Sequence, residues 1–505
     1  MRFLQRVKFN LKTVFLCGIS GVSLLVVALF LGFIIFPKVV NDQLLETKIL
    51  REDTEQWAIF KKIPFAFTFN VYLFTVENPE EILKGAKPVV KEKGPYVYKL
   101  YKWKEDIIWN YTTDEISYYE YEKYVFDQEA SGSLTEHDKV TLLNLPYLTF
   151  LYTAEANEAT SGFLPLIDEA LEFIFSGHNS PFLVNVTVRD YLFEGVEICK
   201  NGCEDDGFVA KMACGKIKDN LKVAKQMRLH HKDILFATFH YRNNTHQKYL
   251  TVNSGRQNHL EIGAITQLDN SSTMNVWNQF GCNQVSGLTG IFPINLGFKT
   301  TFQSFSAEIC RPVKLHFSTI KPFGSIKGYK YVALNTTFNT SMVENQCYCT
   351  GKIPNLDGNL GCLYDGVLDL STCLGAPIVV SFPHFLYADW RYVNNVKGLS
   401  PNETNHQIFV NLEPISGTPL EAATRIQFNL FLRPVRNITS LDSVADALVP
   451  LFWIEELTYL PQKYQDVITG KLYRSIFILN AIKYVLLAIA LVIITVCILI
   501  FLYTD

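Results

Sequence analysis

The 505-residue chain carries 46 basic and 49 acidic side chains and a net charge of −3. So even a balance excludes the basic footprint of a nucleic-acid-binding protein. Apolar residues make up 48% of the chain, and its 37 Phe and 25 Tyr suit strands and apolar cavities.

From the N-terminus, Arg2, Arg6, Lys8 and Lys12 precede an uncharged stretch, Val14 to Phe36. A helix rises ~1.5 Å per residue, so about 20 residues cross the hydrocarbon core of a bilayer. This apolar run is about twice the length of a signal-peptide core, and no small-x-small cleavage site follows it. It reads as an uncleaved anchor, and the positive-inside rule puts the leading basic residues in the cytosol. Tyr484 to Tyr503 is a second uncharged stretch. The expected organisation is a cytosolic tail at 1–13, a span at 14–36, an extracellular ectodomain at 37–480, a span at 481–503 and a cytosolic end at 504–505. This is a two-pass layout at the plasma membrane with both termini cytosolic. Lys471, Arg474 and Lys483 sit on the outer side of the second span, against the rule. With two residues after that span, no cytosolic docking motif is expected there.

Within the ectodomain, Phe65 to Val76 alternates aromatic and β-branched residues and stops at Glu77-Asn78-Pro79, which predicts a strand and a turn. Tyr96-Val97-Tyr98, Asp233 to Tyr241, Tyr329 to Leu334, Pro377 to Phe382 and Ile426 to Leu432 also predict strands. Leu164, Ile167, Leu171 and Ile174 recur at helical spacing within 164–175. Residues 209–227 predict a second helix, with Ile217, Leu221 and Ala224 on one face and Lys211, Lys218, Lys222 and Lys225 on another. Glu421 and Arg425, four apart, read as a surface pair on a helix. The sum is a mainly antiparallel β body with helical insertions.

Cys199, Cys203, Cys214, Cys282, Cys310, Cys347, Cys349, Cys362 and Cys373 lie between the spans, with Cys17 and Cys497 inside them. Six fall between 282 and 373, a disulfide pattern for an oxidising compartment. Cys347-Tyr348-Cys349 has no second pair or His spacing to complete a zinc site, so no metal or cofactor is expected. Asn110, Asn185, Asn243, Asn270, Asn335, Asn339, Asn402 and Asn437 each begin an N-glycosylation sequon, all between the spans. No nucleophile elbow, His-Glu-x-x-His, phosphate-binding loop or dinucleotide fingerprint occurs, so no enzymatic activity is expected. His384 reads as a satisfied core histidine, and His230-His231 as solvated surface.

Several ordered motifs carry a resemblance. They are Asn78-Pro79-Glu80-Glu81, Lys93-Gly94-Pro95-Tyr96-Val97-Tyr98, Ile309-Cys310-Arg311, Cys347-Tyr348-Cys349 and Pro383-His384-Phe385-Leu386-Tyr387-Ala388. Gly398-Leu399-Ser400-Pro401-Asn402-Glu403 and Leu412-Glu413-Pro414-Ile415-Ser416-Gly417 follow. With six cysteines and two terminal spans, the chain resembles the class B scavenger receptors, the family of fatty-acid translocase and lysosomal integral membrane protein. Lys84-Gly85-Ala86-Lys87-Pro88, Gly417 to Ala423 and Phe452-Trp453-Ile454-Glu455-Glu456 most resemble its insect sensory neuron membrane protein branch.

The resemblance implies an α+β membrane protein: an antiparallel barrel-like ectodomain with a helical head and an internal lipid tunnel. It implies the pairs Cys282–Cys347, Cys310–Cys373 and Cys349–Cys362. Cys203 with Cys214 is the further expected pair, leaving Cys199 odd. The expected function is binding of hydrophobic lipid-derived ligands and their transfer to the membrane or an odorant receptor. A lipid- or odorant-binding protein is a further expected partner. The alternative is a general scavenger receptor for lipid, lipoprotein or carotenoid uptake, or for cell recognition, outside sensory tissue. Leu164, Ile167, Leu171 and Ile174 are the candidate ligand-uptake lip, against the alternative that they pack on other head helices. The family's Gly-Thr-Asp-Gly turn is Gly287-Leu288-Thr289-Gly290 here. Glu155, Glu158, Asp168, Glu169 and Glu172 make the head acidic, which weakens the case for polyanionic ligands.

Overall fold

A computed structural model describes residues 11–504 apart from Ser176 and Val223. Arg2, Arg6, Lys8 and Asp505, assigned above to the cytosolic ends, lie outside the described residues. The chain divides into two compact units. One comprises Met1–Ile49, Pro322–Lys327 and Leu460–Asp505, and the other Leu50–Lys321 and Gly328–Tyr459.

In the first unit, helices Lys12–Lys48 and Gln462–Leu502 are long and apolar enough to cross a membrane. Both overrun the expected spans, because helix continues through the charged stretches beside each apolar run. The first passes from Leu11–Phe30 through a π-helical turn, Leu31–Ile35, into Phe36–Lys48. Pro37 falls in the opening turn of that last segment, where its missing N–H costs least.

The helix pair has a seam that can be read residue by residue. Val14, Gly21 and Ala28 are buried on the first helix, and Lys483, Ala490 and Cys497 on the second. Both sets repeat every seventh residue, the spacing of a left-handed helix pair. Gly21 abuts Ile493 and Ile494, and Gly32 abuts Lys483. Cys497 also faces Cys17. One number falls as its partner rises, so the helices are antiparallel. Small residues on the seam let the backbones approach closely.

The second unit is built on one large antiparallel sheet. Its main path uses β1 (Phe67–Val76), β2 (Val90–Asn110), β3 (Glu115–Phe126), β4 (Thr245–Asn253), β5 (Ile265–Leu268) and β6 (Thr301–Ser306). It continues with β7 (Arg311–Ile320), β8 (Tyr329–Val332), β9 (Phe409–Leu412), β10 (Pro419–Leu432) and β11 (Ala447–Tyr459). The spatial order is β5-β4-β3-β2-β1-β11-β10-β9-β8-β7-β6. Every pairing is antiparallel; Val71 opposes Ile454 across β1 and β11, and Ile426 opposes Ile454 across β10 and β11.

The two edge strands, β5 and β6, are joined through a short segment rather than to each other. Ile265 N–H donates to Gly287 O at 2.9 Å, Leu288 N–H to Gln303 O at 2.8 Å, and Phe305 N–H to Leu288 O at 3.1 Å. The sheet therefore forms a nearly closed barrel, which removes its exposed edges. Gly287 has φ +120, and a Cβ there would meet Phe305 N at 3.0 Å and Gln303 O at 3.2 Å. Glycine is what allows the segment to lie this close between two backbones. This is the turn where the sequence departs from the family's pattern.

Between β3 and β4 the chain forms the head. It contains helices Leu145–Ala156, Leu164–Ile174 and Phe208–Asp219, and two small sheets. Three local expectations need correction. The helix expected over 209–227 ends at Asp219, and Met227–His230 is already a strand. The strand expected over 233–241 stops at Phe236, and His240–Arg242 forms a 3-10 turn. Glu421 and Arg425 lie on β10, not on a helix, because that segment is claimed by strand partners on both sides. Glu421 pairs with Lys321 and Arg425 with Glu455.

Candidate functional site

The head presents two unlike helix faces. Leu164, Ile167, Leu171 and Ile174 are buried and join the main core. The periodicity located the helix, but the candidate lip corresponds to its packed face, directed inward. Its exposed apolar side chains are Leu166 and Phe173, with Phe163 (58% exposed) just before it. The packed neighbour helix adds Phe208 (79% exposed) and Met212. These side chains sit one or two positions off the face singled out by helical spacing. Only burial, not periodicity, distinguishes the two faces.

The charged side chains of the head are mostly solvated. Lys211, Lys218, Lys222 and Lys225 are exposed, as are Glu158, Glu169 and Glu172. Glu155 instead pairs with Arg433, whose guanidinium lies 4.6 Å over the Tyr152 ring. Asp168 accepts from the Thr439 backbone N–H and hydroxyl. His230 and His231 are exposed neighbours on a turn.

Three cysteines meet beneath these helices. Cys199, Cys203 and Cys214 are fully buried and their sulfurs lie within 4.8 Å of one another. Cys214 is within bonding reach of both others, with Cα separations of 5.5 Å to Cys199 and 6.2 Å to Cys203. One sulfur forms one disulfide, so the two pairings compete. Cys199, odd in the sequence, is thus placed as an alternative partner. Its N–H donates to Ile174 O, and the Cys203 thiol to Phe173 O, which ties the trio to the end of helix Leu164–Ile174.

In the connections between barrel strands, Cys282 pairs with Cys347, Cys310 with Cys373, and Cys349 with Cys362. Two of the resemblance motifs meet among them. The Arg311 guanidinium lies 3.7 Å over the Tyr348 ring and donates to Asn345 Oδ1 at 3.1 Å. Trp277 Nε1 donates to Cys310 O and packs edge-on against Tyr348.

A polar and aromatic cluster lies deeper. His384 Nδ1 accepts the Ser400 N–H at 3.1 Å, so the ring proton sits on Nε2 and is donated to Glu92 at 2.6 Å. Trp453 Nε1 donates to the same carboxylate at 2.7 Å, and Tyr72 stacks on Trp453 at 3.8 Å. Burial works to raise the Glu92 pKa, but hydrogen bonds from His384 and Trp453 hold it below the usual range. His406 stacks on His384 and accepts the Asn402 N–H on Nδ1. Burial, and then its neighbour His384, push His406 down to about 4. Both His384 nitrogens are therefore engaged, as a core histidine's would be.

On β3, Glu122 (2% exposed) accepts from Arg242 Nε at 2.9 Å and Nη2 at 3.0 Å, and from Tyr124 at 2.7 Å. Lys102 lies 3.4 Å from Glu122 and 2.8 Å from Glu456. Burial opposes ionisation of Glu122, but Arg242 and Lys102 outweigh it and bring its pKa to about 2.

Of the eight sequon asparagines, Asn110, Asn185, Asn270, Asn335, Asn402 and Asn437 are exposed. Asn243 and Asn339 are half-buried, and Asn243 Oδ1 accepts the Tyr124 N–H.

Comparison with known proteins accounts for this arrangement. The CD36 family profile matches residues 19–501. The chain is 34% identical to sensory neuron membrane protein 1 of Bombyx mori, covering 90% of this chain and 85% of that protein. It is 30% identical to sensory neuron membrane protein 2 of Anopheles gambiae, covering 93% and 90%. The Drosophila melanogaster sensory neuron membrane protein 2 is 29% identical over 96% of both chains. With a near-closed antiparallel barrel, two terminal apolar helices and a match across almost its whole length, the chain belongs to the CD36 family, the class B scavenger receptors.

Proposed function

We propose that this chain is a two-pass plasma-membrane receptor that captures hydrophobic, lipid-derived ligands at its head. It passes them through the barrel to the membrane or to a neighbouring odorant receptor. Both termini are cytosolic, and residues 37–480 are extracellular and glycosylated. The observation that carries this reading is the similarity to sensory neuron membrane proteins along 90% or more of the chain. Exposed Phe163, Leu166, Phe173, Phe208 and Met212 support capture of apolar ligands at the head. Each buried CH₂ contributes ~0.8 kcal/mol, so an apolar path holds long-chain ligands without dedicated polar contacts. The engagement of both His384 nitrogens supports a binding rather than a catalytic role.

Loss of the protein in sensory neurons, with recordings under a fatty-acid-derived stimulus, tests the reading. Loss of the response is expected; an unchanged response refutes it. The second reading is general uptake of lipid, lipoprotein or carotenoid. It is favoured by the family alone, and transcripts confined to non-sensory tissue would select it.

A further inference from the structure

One charged side chain lies inside the helix pair. Lys483 begins the apolar stretch of the second helix and is 9% exposed. Its stem crosses Gly32 of the first helix so closely that a Cβ on Gly32 would lie 2.5 Å from Lys483 Cδ. Gly32 belongs to the π-helical turn Leu31–Ile35, where an extra residue per turn widens the backbone spacing. The ammonium emerges between two rings, 4.7 Å from the centre of Phe33 and 4.6 Å from that of Tyr484. Both rings are outward-facing, Phe33 58% and Tyr484 61% exposed.

The ammonium has three donors but, among the described residues, no carboxylate and no hydrogen-bond acceptor. Ring faces attract a cation yet accept no strong hydrogen bond. Lys38 lies six residues beyond Gly32, ~9 Å along the axis, which sets Lys483 below the charged end of the pair. An ionisable group at this depth calls for a partner, and lipid is the medium on that side. Lys483 is also one of the three basic residues that run against the positive-inside pattern.

We propose that Lys483, with Phe33 and Tyr484 as flanking rings and Gly32 as the notch for its stem, is a binding site for the anionic head group of a membrane amphiphile. The shared chemistry is an oxyanion on an acyl chain: a phospholipid phosphate or a fatty-acid carboxylate. The oxyanion receives the N–H donors, and the acyl chain lies along the outward face of the helices. The inference rests on the reading that both helices span a bilayer.

The test uses the full-length protein in phosphatidylcholine bilayers, with spin-labelled phosphatidic acid, stearate and phosphatidylcholine as probes. The wild type is expected to hold phosphatidic acid or stearate several-fold more strongly than phosphatidylcholine. Preference for phosphatidic acid alone identifies the phosphate source, and preference for stearate alone the carboxylate source. Lys483→Met is expected to abolish the preference, and Lys483→Arg to keep it. Equal preference in wild type and Lys483→Met overturns the proposal. If the variants do not fold, photoactivatable forms of the same lipids decide on the wild type: labelling must map within 29–36 or 480–487, and labelling elsewhere alone overturns it. Absence of any immobilised lipid would instead strike the two-span reading.

Discussion

The Glu122–Arg242 pair offers the sharpest test of what holds the barrel wall together. Glu122→Gln keeps the shape and removes the charge. Arg242, 8% exposed at its side chain, then keeps only the partly exposed Glu308 at 3.3 Å. Breaking a buried pair from one side costs about 3–5 kcal/mol, because a charge is left uncompensated. A second route gives a similar figure. The Glu122 pKa falls from 4.5 to about 2 on folding, and at ~1.4 kcal/mol per unit that is roughly 3 kcal/mol. The sign follows from the depressed value: the contribution is complete above pH 4.5 and is lost as pH falls towards 2. For a unit of roughly 400 residues, about 1–2 °C per kcal/mol predicts a melting point lower by about 3–10 °C. The assay is thermal unfolding of detergent-purified full-length protein at pH 7. Glu122→Gln with Arg242→Met, which removes both charges, is expected to recover most of the loss. A double variant as damaged as the sum of the two singles would refute the reasoning.

Gly287→Val is expected to loosen the junction between β5 and β6, costing about 2–4 kcal/mol from left-handed backbone strain and disturbed hydrogen bonds; faster hydrogen exchange at Ile265, Leu288 and Phe305 checks it. His406, held near 4 against an ordinary 6.5, stays neutral in the fold while the unfolded chain takes up a proton. Stability is therefore complete above pH 6.5 and falls as pH drops towards 4. Allowing for screening, the loss is about 1–2 kcal/mol, and His406→Gln melted across the same range should show less of it. Peptide mapping of non-reduced protein should find Cys214 joined to Cys199 in some molecules and to Cys203 in others, with Cys199→Ser and Cys203→Ser each retaining one bond. Glycopeptide analysis should find glycans on the six exposed sequon asparagines and none on Asn243.

Much of the architecture was legible because its signals are local. Charge-free runs marked the terminal helices, and alternation marked β1. The resemblance motifs are legible for a different reason: they are junction chemistry. Asn78 accepts the Val89 N–H, Ser400 donates to His384, and the Glu413 carboxylate accepts the N–H groups of Ile415 and Ser416. Such residues specify turns, so they report fold more than ligand. What stayed hidden depends on distant partners. Helical spacing found the Leu164 face but could not tell lip from core. Glu421-Ala422-Ala423 has helix-favouring residues, yet flanking strands impose β structure on it. The seam of the helix pair is hidden in uniformly apolar sequence, where Val14, Gly21 and Ala28 and then Lys483, Ala490 and Cys497 stand out every seventh residue only once burial is known.

That sevenfold seam works as a ruler between the two ends of the chain. Each helix position has one opposite number, so inserting a single residue between Ala28 and Gly32 would turn the notch ~100° away from Lys483. The spans are thereby intolerant of length change in a way that a pair of independent anchors would not be. Variation in this chain should enter them by substitution, with insertions confined to loops of the β unit.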